Sequence, residues 1–336
     1  MREDDVQGAA AGTGTRGVGI VAGLVAALAF ATSGPVVKPL LAAGWSPGAA
    51  IVVRLTLGAL LLAGPAAWAL RGRWATLRTD WPTVVGLGLT GVAGASTFYF
   101  FAVERLPVAV ALLVEYTGPL LLLLWAWVRT RRVPSRATLV GASLAMGGLV
   151  LVLDVTGAVR LDPVGLLFAG LAALGNAAYF AFTARPIALP PVSLAGAAMA
   201  VGAAVVGLLA AVGLLPFVAP DVQVDVLGAR MHWAVPLLVV GIVPTAVAYG
   251  VSAVSVRLLG ERLASFLALS EVLLSVALAW VLLGEQPLVV QGVGAVLVVA
   301  GVALVRLGAE QDVAHGAAPA PAVDVLEERE VAPEPV

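Results

Sequence analysis

Arg54, Glu115 and Glu271 are the residues of this 336-residue chain whose type and place promise chemistry, because each is ionisable and lies inside a long apolar run. A charge within a bilayer costs at least a few kcal/mol unless it faces water or a partner, so such residues mark substrate or ion pathways. Glu115 lies eight residues past Pro107, and Arg54 seven past Pro47. At about 1.5 Å per helical residue these offsets put them about 12 and about 10 Å below the same membrane face. The spacing therefore predicts that Arg54 and Glu115 meet. Pairing would hold Glu115 ionised, whereas an unpaired carboxyl at that depth would sooner keep a proton, and a switch between the two states could couple proton movement to transport. Pro119 sharpens the case, since a helical proline leaves the carbonyl four residues earlier, that of Glu115, without its donor. Such a carbonyl needs a polar neighbour or cavity water. The alternative is a Glu–Arg pair that only fixes two helices.

Glu271, eight residues past Leu263, falls about 12 Å from the opposite face. It is placed to guard the other opening, or to act as a boundary acid satisfied by Arg257 or Arg262. Lys38 sits near the outer end of its span, where it can touch substrate or extend to water. Thr32 and Ser33, then Asn176, Tyr179 and Thr183, supply polar groups at helical spacing. Tyr99, Tyr116 and Tyr249 would line the same cavity or simply pack. No cofactor or metal is expected: Cys is absent, and His232 and His315 cannot build a multi-histidine centre. No Walker-type phosphate loop is present, which argues against direct ATP drive from this chain.

The elements that must position these residues are membrane helices. Hydrophobic residues form 61% of the chain and charged residues 12%, against about a quarter charged in a soluble domain. With about 20 apolar residues needed per crossing, ten spans are predicted: 18–41, 47–70, 81–102, 107–128, 136–153, 163–183, 192–216, 233–256, 263–283 and 287–307. The fold class is thus all-α integral membrane. Of the 19 basic residues only Arg105, Arg160 and Arg230 fall in outward loops when the N-terminus is inside, so both termini are expected to be cytoplasmic. Residues 1–17 form a short N-terminal segment, and 308–336, rich in Ala, Pro and Glu, are expected to be a disordered tail. The net charge of −1 argues against a nucleic-acid partner.

The chain also repeats itself. Ala126 to Val152 aligns without a gap on Ala279 to Val305, matching Trp127 with Trp280, Pro134 with Pro287, Gly141 with Gly294 and Gly148 with Gly301. Nearer the start, Gly19 aligns with Gly165 and Ser33 with Tyr179. The second unit carries seven extra residues, placed in the outer loop 216–233. Five spans per unit, 18–153 and 163–307, force the second to start on the opposite side of the membrane. The prediction is a pair of inverted repeats that alternate access around a central site.

Three stretches carry a family likeness: LAFATSGPVVKPLLAAGWSPGAAIVVRL from Leu28, FYFFAVERLPVAVALLVEYTGPLLLLLWAW from Phe98, and LSEVLLSVALAWVLLGEQP from Leu269. From about Val18 to Leu307 the sequence resembles the EamA branch of the drug/metabolite transporter superfamily. That resemblance implies a secondary carrier exporting or exchanging small metabolites, amino acids or drugs across the bacterial inner membrane. Two positions depart from the family pattern. Gly284-Glu285 is matched in the first unit by Arg131-Arg132, and the ninth span reads Glu271-Val272 where a Glu-Pro pair is common. The expected function is a proton-coupled exporter, with a small-molecule substrate, protons and membrane lipids as partners, and a homodimer open as an assembly. A membrane enzyme acting on lipid-linked substrates, or a sensor, are the alternatives; the clustered carboxylates or His/Asp pair such an enzyme needs are not visible.

Overall fold

The computed structural model describes residues 3–131, 135–152, 161–183, 185, 187–226 and 228–314. In the first half, α1 (Glu3–Ala31) and α2 (Ser33–Ala42) meet at Thr32, and α3 (Pro47–Ala69) returns; α4 (Trp74–Thr79) is a short connector. α5 (Trp81–Gly86), a π-helical stretch Leu87–Gly94 and α6 (Ala95–Arg105) run on continuously, followed by α7 (Val108–Glu115), α8 (Gly118–Thr130) and α9 (Arg136–Val152). The second half holds α10 (Pro163–Thr183), α11 (Pro191–Ala211), a hairpin of β1 (Gln223–Val226) and β2 (Ala229–His232), then α12 (Ala234–Gly241), a π-helical stretch Ile242–Val247, α13 (Ala248–Ala268), α14 (Ser270–Leu283) and α15 (Val289–Ala314).

At three points the structure adds to the sequence reading. The fold is mostly helical but not all-α, because the loop with the extra residues forms the hairpin, pairing Gln223 with His232 and Val226 with Ala229. Its Val224 is fully buried, and Trp45 Nε1 donates to the Pro220 carbonyl beside it at 3.0 Å. Among the described residues ten unbroken spans are not all seen. Five segments among the described residues are long and apolar enough to cross a membrane (Gly17–Ala42, Pro47–Ala69, Trp81–Arg105, Pro191–Ala211 and Ala234–Ser252), four apolar helices are shorter, and the expected span 107–128 is divided into α7 and α8. Finally, α1 begins at Glu3 and α15 continues to Ala314, so helix enters both stretches assigned to termini; 315–336 lie outside the described residues.

Large apolar side chains such as Leu60, Leu167 and Val281 point outward, as a lipid-facing surface requires. Trp68, Trp74 and Trp81 are exposed around Arg71, Arg73 and Arg78, the composition of a membrane interface. At another helix boundary Asp162 caps α10, accepting from Val164 N–H at 2.9 Å and from Arg105 at 3.1 Å. These bonds, the backbone one first, hold its carboxyl below the usual aspartate range. Its contribution to stability is therefore present above that range and lost as pH falls through the lowered value.

The repeat is written into the packing. α9 lies antiparallel against α15: a Cβ on Gly141 would come 2.7 Å from the Gly301 carbonyl oxygen, and one on Gly148 2.6 Å from that of Gly294. Because Gly141 aligns with Gly294 and Gly148 with Gly301, each contact is the image of the other when the units are exchanged. The same holds where Gly19 meets Leu259 and Gly165 meets Leu106, since Leu106 aligns with Leu259. Small residues let helix backbones approach this closely where lipid offers no hydrophobic drive. Gly148→Val should therefore lower thermal stability in detergent, by about 1–3 kcal/mol for an overpacked contact. Gly147→Ala, with nothing within 4 Å of the added atom, should leave it unchanged or raise it slightly. Equal effects of the two substitutions would contradict this packing.

Candidate functional site

Helix breaks place the polar residues. α7 ends at Glu115 and α8 begins three residues later, at Gly118, so Pro119 stands in the first turn of a new helix rather than inside a kinked one. At the break the Thr117 hydroxyl donates to the Val114 carbonyl at 2.7 Å. In the second unit the break between α13 and α14 falls at the aligned position, where the Ser270 hydroxyl donates to the Leu267 carbonyl at 2.6 Å. The π-helical stretches are matched too: Gly91 in the first aligns with Pro244 in the second. Short hydroxyl side chains satisfy the carbonyls that broken helices release, which is the condition for interrupting a helix inside a membrane.

Arg54 is buried in α3. Its Nε–H donates to Thr245 Oγ1 at 3.3 Å, and Thr245 in turn donates to the Val240 carbonyl at 3.0 Å across the π-helical stretch. The guanidinium lies 5.2 Å from the centre of the Phe100 ring, a cation–π distance. The predicted direct pair does not form: among the described residues no ion pair joins Arg54 to Glu115. Arg54 instead sits within electrostatic range of Glu115, Glu271, Tyr99 and Tyr249 together, so one cation faces two carboxyl groups.

The two carboxyl groups differ. Glu271 lies in the first turn of α14, at the positive end of that helix dipole, and accepts from Tyr116 O–H at 2.6 Å. Glu115 is the last residue of α7, at the negative end of its helix, and its carboxyl makes no hydrogen bond among the described residues. Arg257 and Arg262, the partners expected for Glu271, have side chains outside the described residues. Tyr179 shares the field of Tyr249 and Glu271, and Tyr249 packs edge-on against Phe30 with ring centres 5.0 Å apart.

Six nominated residues, Arg54, Tyr99, Glu115, Tyr179, Tyr249 and Glu271, thus come together. The others stand apart. Thr32 spends its hydroxyl on the Ala29 carbonyl at the joint between α1 and α2. Ser33 Oγ and Asn176 Oδ1 are buried with no hydrogen-bond partner, and Asn176 faces Gly118, the position aligned with Glu271. Lys38, still partly open to water, binds Glu285 and the Leu106 carbonyl. The side chain of Thr183 is outside the described residues. Sequence reasoning missed Thr245, whose signal was a hydroxyl where the first unit has Val92, and Phe100. No cluster of potential metal ligands occurs among the described residues.

Two packed helical units, broken at matching points around buried charge, define a duplicated membrane bundle with a polar centre. A family model confirms the class: residues 17–154 and 163–307 each match the EamA-like transporter family, and the chain belongs to it. It is accordingly a multi-pass membrane protein and a transporter of small molecules. Among solved structures, one described only as the crystal structure of a protein matches at 24% identity over 90% of this chain and 98% of that one, with a TM-score of 0.54, a likeness of fold. No curated protein matches.

Arg54→Lys keeps the charge but removes the Nε–H donor and the planar face over Phe100. We expect it to lower thermal stability in detergent by about 1.5–3 kcal/mol, as for a hydrogen bond to a charged group, with Thr245→Val showing part of the loss. Stability of Arg54→Lys equal to wild type would mean that only the charge matters.

Proposed function

We propose that the protein is a proton-coupled secondary exporter of small metabolites, amino acids or drugs, working by alternating access across a bacterial inner membrane with both termini inside. The observation that carries this reading is the grouping of Glu115 and Glu271, each at a helix break, around Arg54 of α3 where the two units meet. One guanidinium faces two carboxyl groups, so a further positive charge is needed for neutrality in a medium of low dielectric. A proton supplies it. Glu115 is the group assigned to that proton, because it ends a helix, where the dipole opposes negative charge, and lacks the hydrogen bond that Glu271 receives from Tyr116. Protonation leaves the centre neutral; release of the proton leaves one unbalanced charge that favours rearrangement or a substrate.

The mirrored contacts of α9 with α15, and of Gly19 and Gly165, support the ten-span, inverted five-plus-five arrangement that such a cycle uses. In this reading 18–153 and 163–307 are the two moving units. Ser33 and Asn176, with buried oxygens unpartnered, are proposed as substrate contacts, beside Tyr99, Tyr179 and Tyr249.

To test the coupling, substrates are found from metabolite accumulation in cells lacking or overproducing the protein, and flux is then followed in proteoliposomes under an imposed pH gradient. Glu115→Gln should abolish the gradient-driven component while exchange at equal pH continues. Undiminished gradient-driven flux in Glu115→Gln would remove Glu115 from the coupling role.

A further inference from the structure

Lys38 and Glu285 make the one ion pair, among the described residues, that joins a residue matched to the first family unit with one matched to the second inside the helical bundle. The ammonium also donates to the Leu106 carbonyl at 2.8 Å, and the other carboxylate oxygen of Glu285 accepts the Val108 N–H at 3.0 Å. Every partner stands at the end of an element. Leu106 follows α6, and Val108 opens α7, whose first N–H groups have no acceptor within the helix. Glu285 follows Gly284, whose positive φ of 69° ends α14. Lys38 rides on α2, which is jointed to α1 at Thr32. A single pair therefore clips the middle of α2 to the ends of α6, α7 and α14.

This clip has the properties of a contact that is made and broken. Its side chains keep 27% and 20% of their surface, so water reaches them and the charges can separate without the penalty of stranding an ion in hydrocarbon. The backbone partners on either side give it more hold than an isolated exposed pair. It also exists at one end only. The repeat register puts Ala184 and Arg132 at the positions equivalent to Lys38 and Glu285; both lie outside the described residues, and by type alone they cannot form an ion pair with each other.

We propose that Lys38–Glu285 is the latch that closes the end of the bundle assigned by the arginine distribution to the outside, with Glu285 as its gating residue. This rests on the alternating-access reading but not on proton coupling. Opening that end separates Lys38 from Glu285 and frees the Leu106 carbonyl and Val108 N–H to water. The latch biases the resting protein toward the outside-closed state, an asymmetry that the duplicated scaffold alone would not produce.

The chain has no cysteine, so Ser33→Cys, one and a half turns below Lys38 and buried in the closed form, is a clean reporter. Sealed vesicles of known orientation are treated from the Lys38 side with a membrane-impermeant maleimide. Lys38→Met and Glu285→Gln should each raise the labelling rate roughly fivefold or more, as expected when an interaction that favours the closed population is lost. Glu285→Gln retains an acceptor for Val108 N–H, so its fold is preserved, and Lys38→Arg, which keeps the pair, should label at the wild-type rate. Labelling unchanged in both charge-removing variants would overturn the latch, as would an equal rise in Lys38→Arg. The readout needs no substrate and no pH gradient, so its failure is distinct from failure of the Glu115 assay.

Discussion

A polar group within the hydrocarbon layer needs a partner inside the protein or a water-filled cavity, and the structure is organised by that requirement. Arg54 cannot stand in lipid, so it is buried against Thr245 and Phe100. Thr245 in turn covers a carbonyl across a π-helical stretch. Where α7 and α8, or α13 and α14, part company, Thr117 and Ser270 take up carbonyls at the break. Breaking helices at the centre is what allows Glu115 and Glu271 to sit at helix ends of opposite polarity rather than midway along uniform rods.

The duplication explains why these features come in pairs. Aligned positions carry the π-helical stretches, the breaks, and the glycines that seat α9 on α15. The backbone keeps the symmetry and the side chains depart from it: Glu271 stands where the first unit has Gly118, Thr245 where it has Val92, and Glu285 where it has Arg132. A symmetric scaffold offers two equivalent openings. Unequal side chains make the openings chemically different, and the Lys38–Glu285 contact is placed at one of them.

Much of this was legible in the chain. An ionisable residue in an apolar run is rare enough to be found by inspection, which is why Arg54, Glu115 and Glu271 could be named, and the glycine register from Ala126 and Ala279 foretold the α9–α15 seam. Depth counted along a helix, however, fixes only one coordinate. Arg54 and Glu115 have similar depth, yet rotation about the helix axes turns Arg54 to Thr245 and leaves Glu115 within its field but out of direct reach. The anchor of Lys38 was not legible for a related reason, because Glu285 is 247 residues away in sequence and no local pattern announces it. The hairpin in the loop after α11 escaped because the apolar period of a membrane chain says nothing about the loops outside it.

The central claim is that two structurally equivalent units rearrange about a centre whose charge is set by a proton. Double electron–electron resonance on the cysteine-free background measures this directly, with one spin-label pair at Glu104→Cys and Gln286→Cys near the Lys38 end and another at Gly17→Cys and Ala188→Cys toward the opposite end, each pair joining the first unit to the second. On moving from alkaline to acidic pH, the account predicts that one distance distribution lengthens as the other shortens, and that Glu115→Gln holds both at their acidic values. Distances that shift together, or that ignore pH in the wild-type protein, would contradict it.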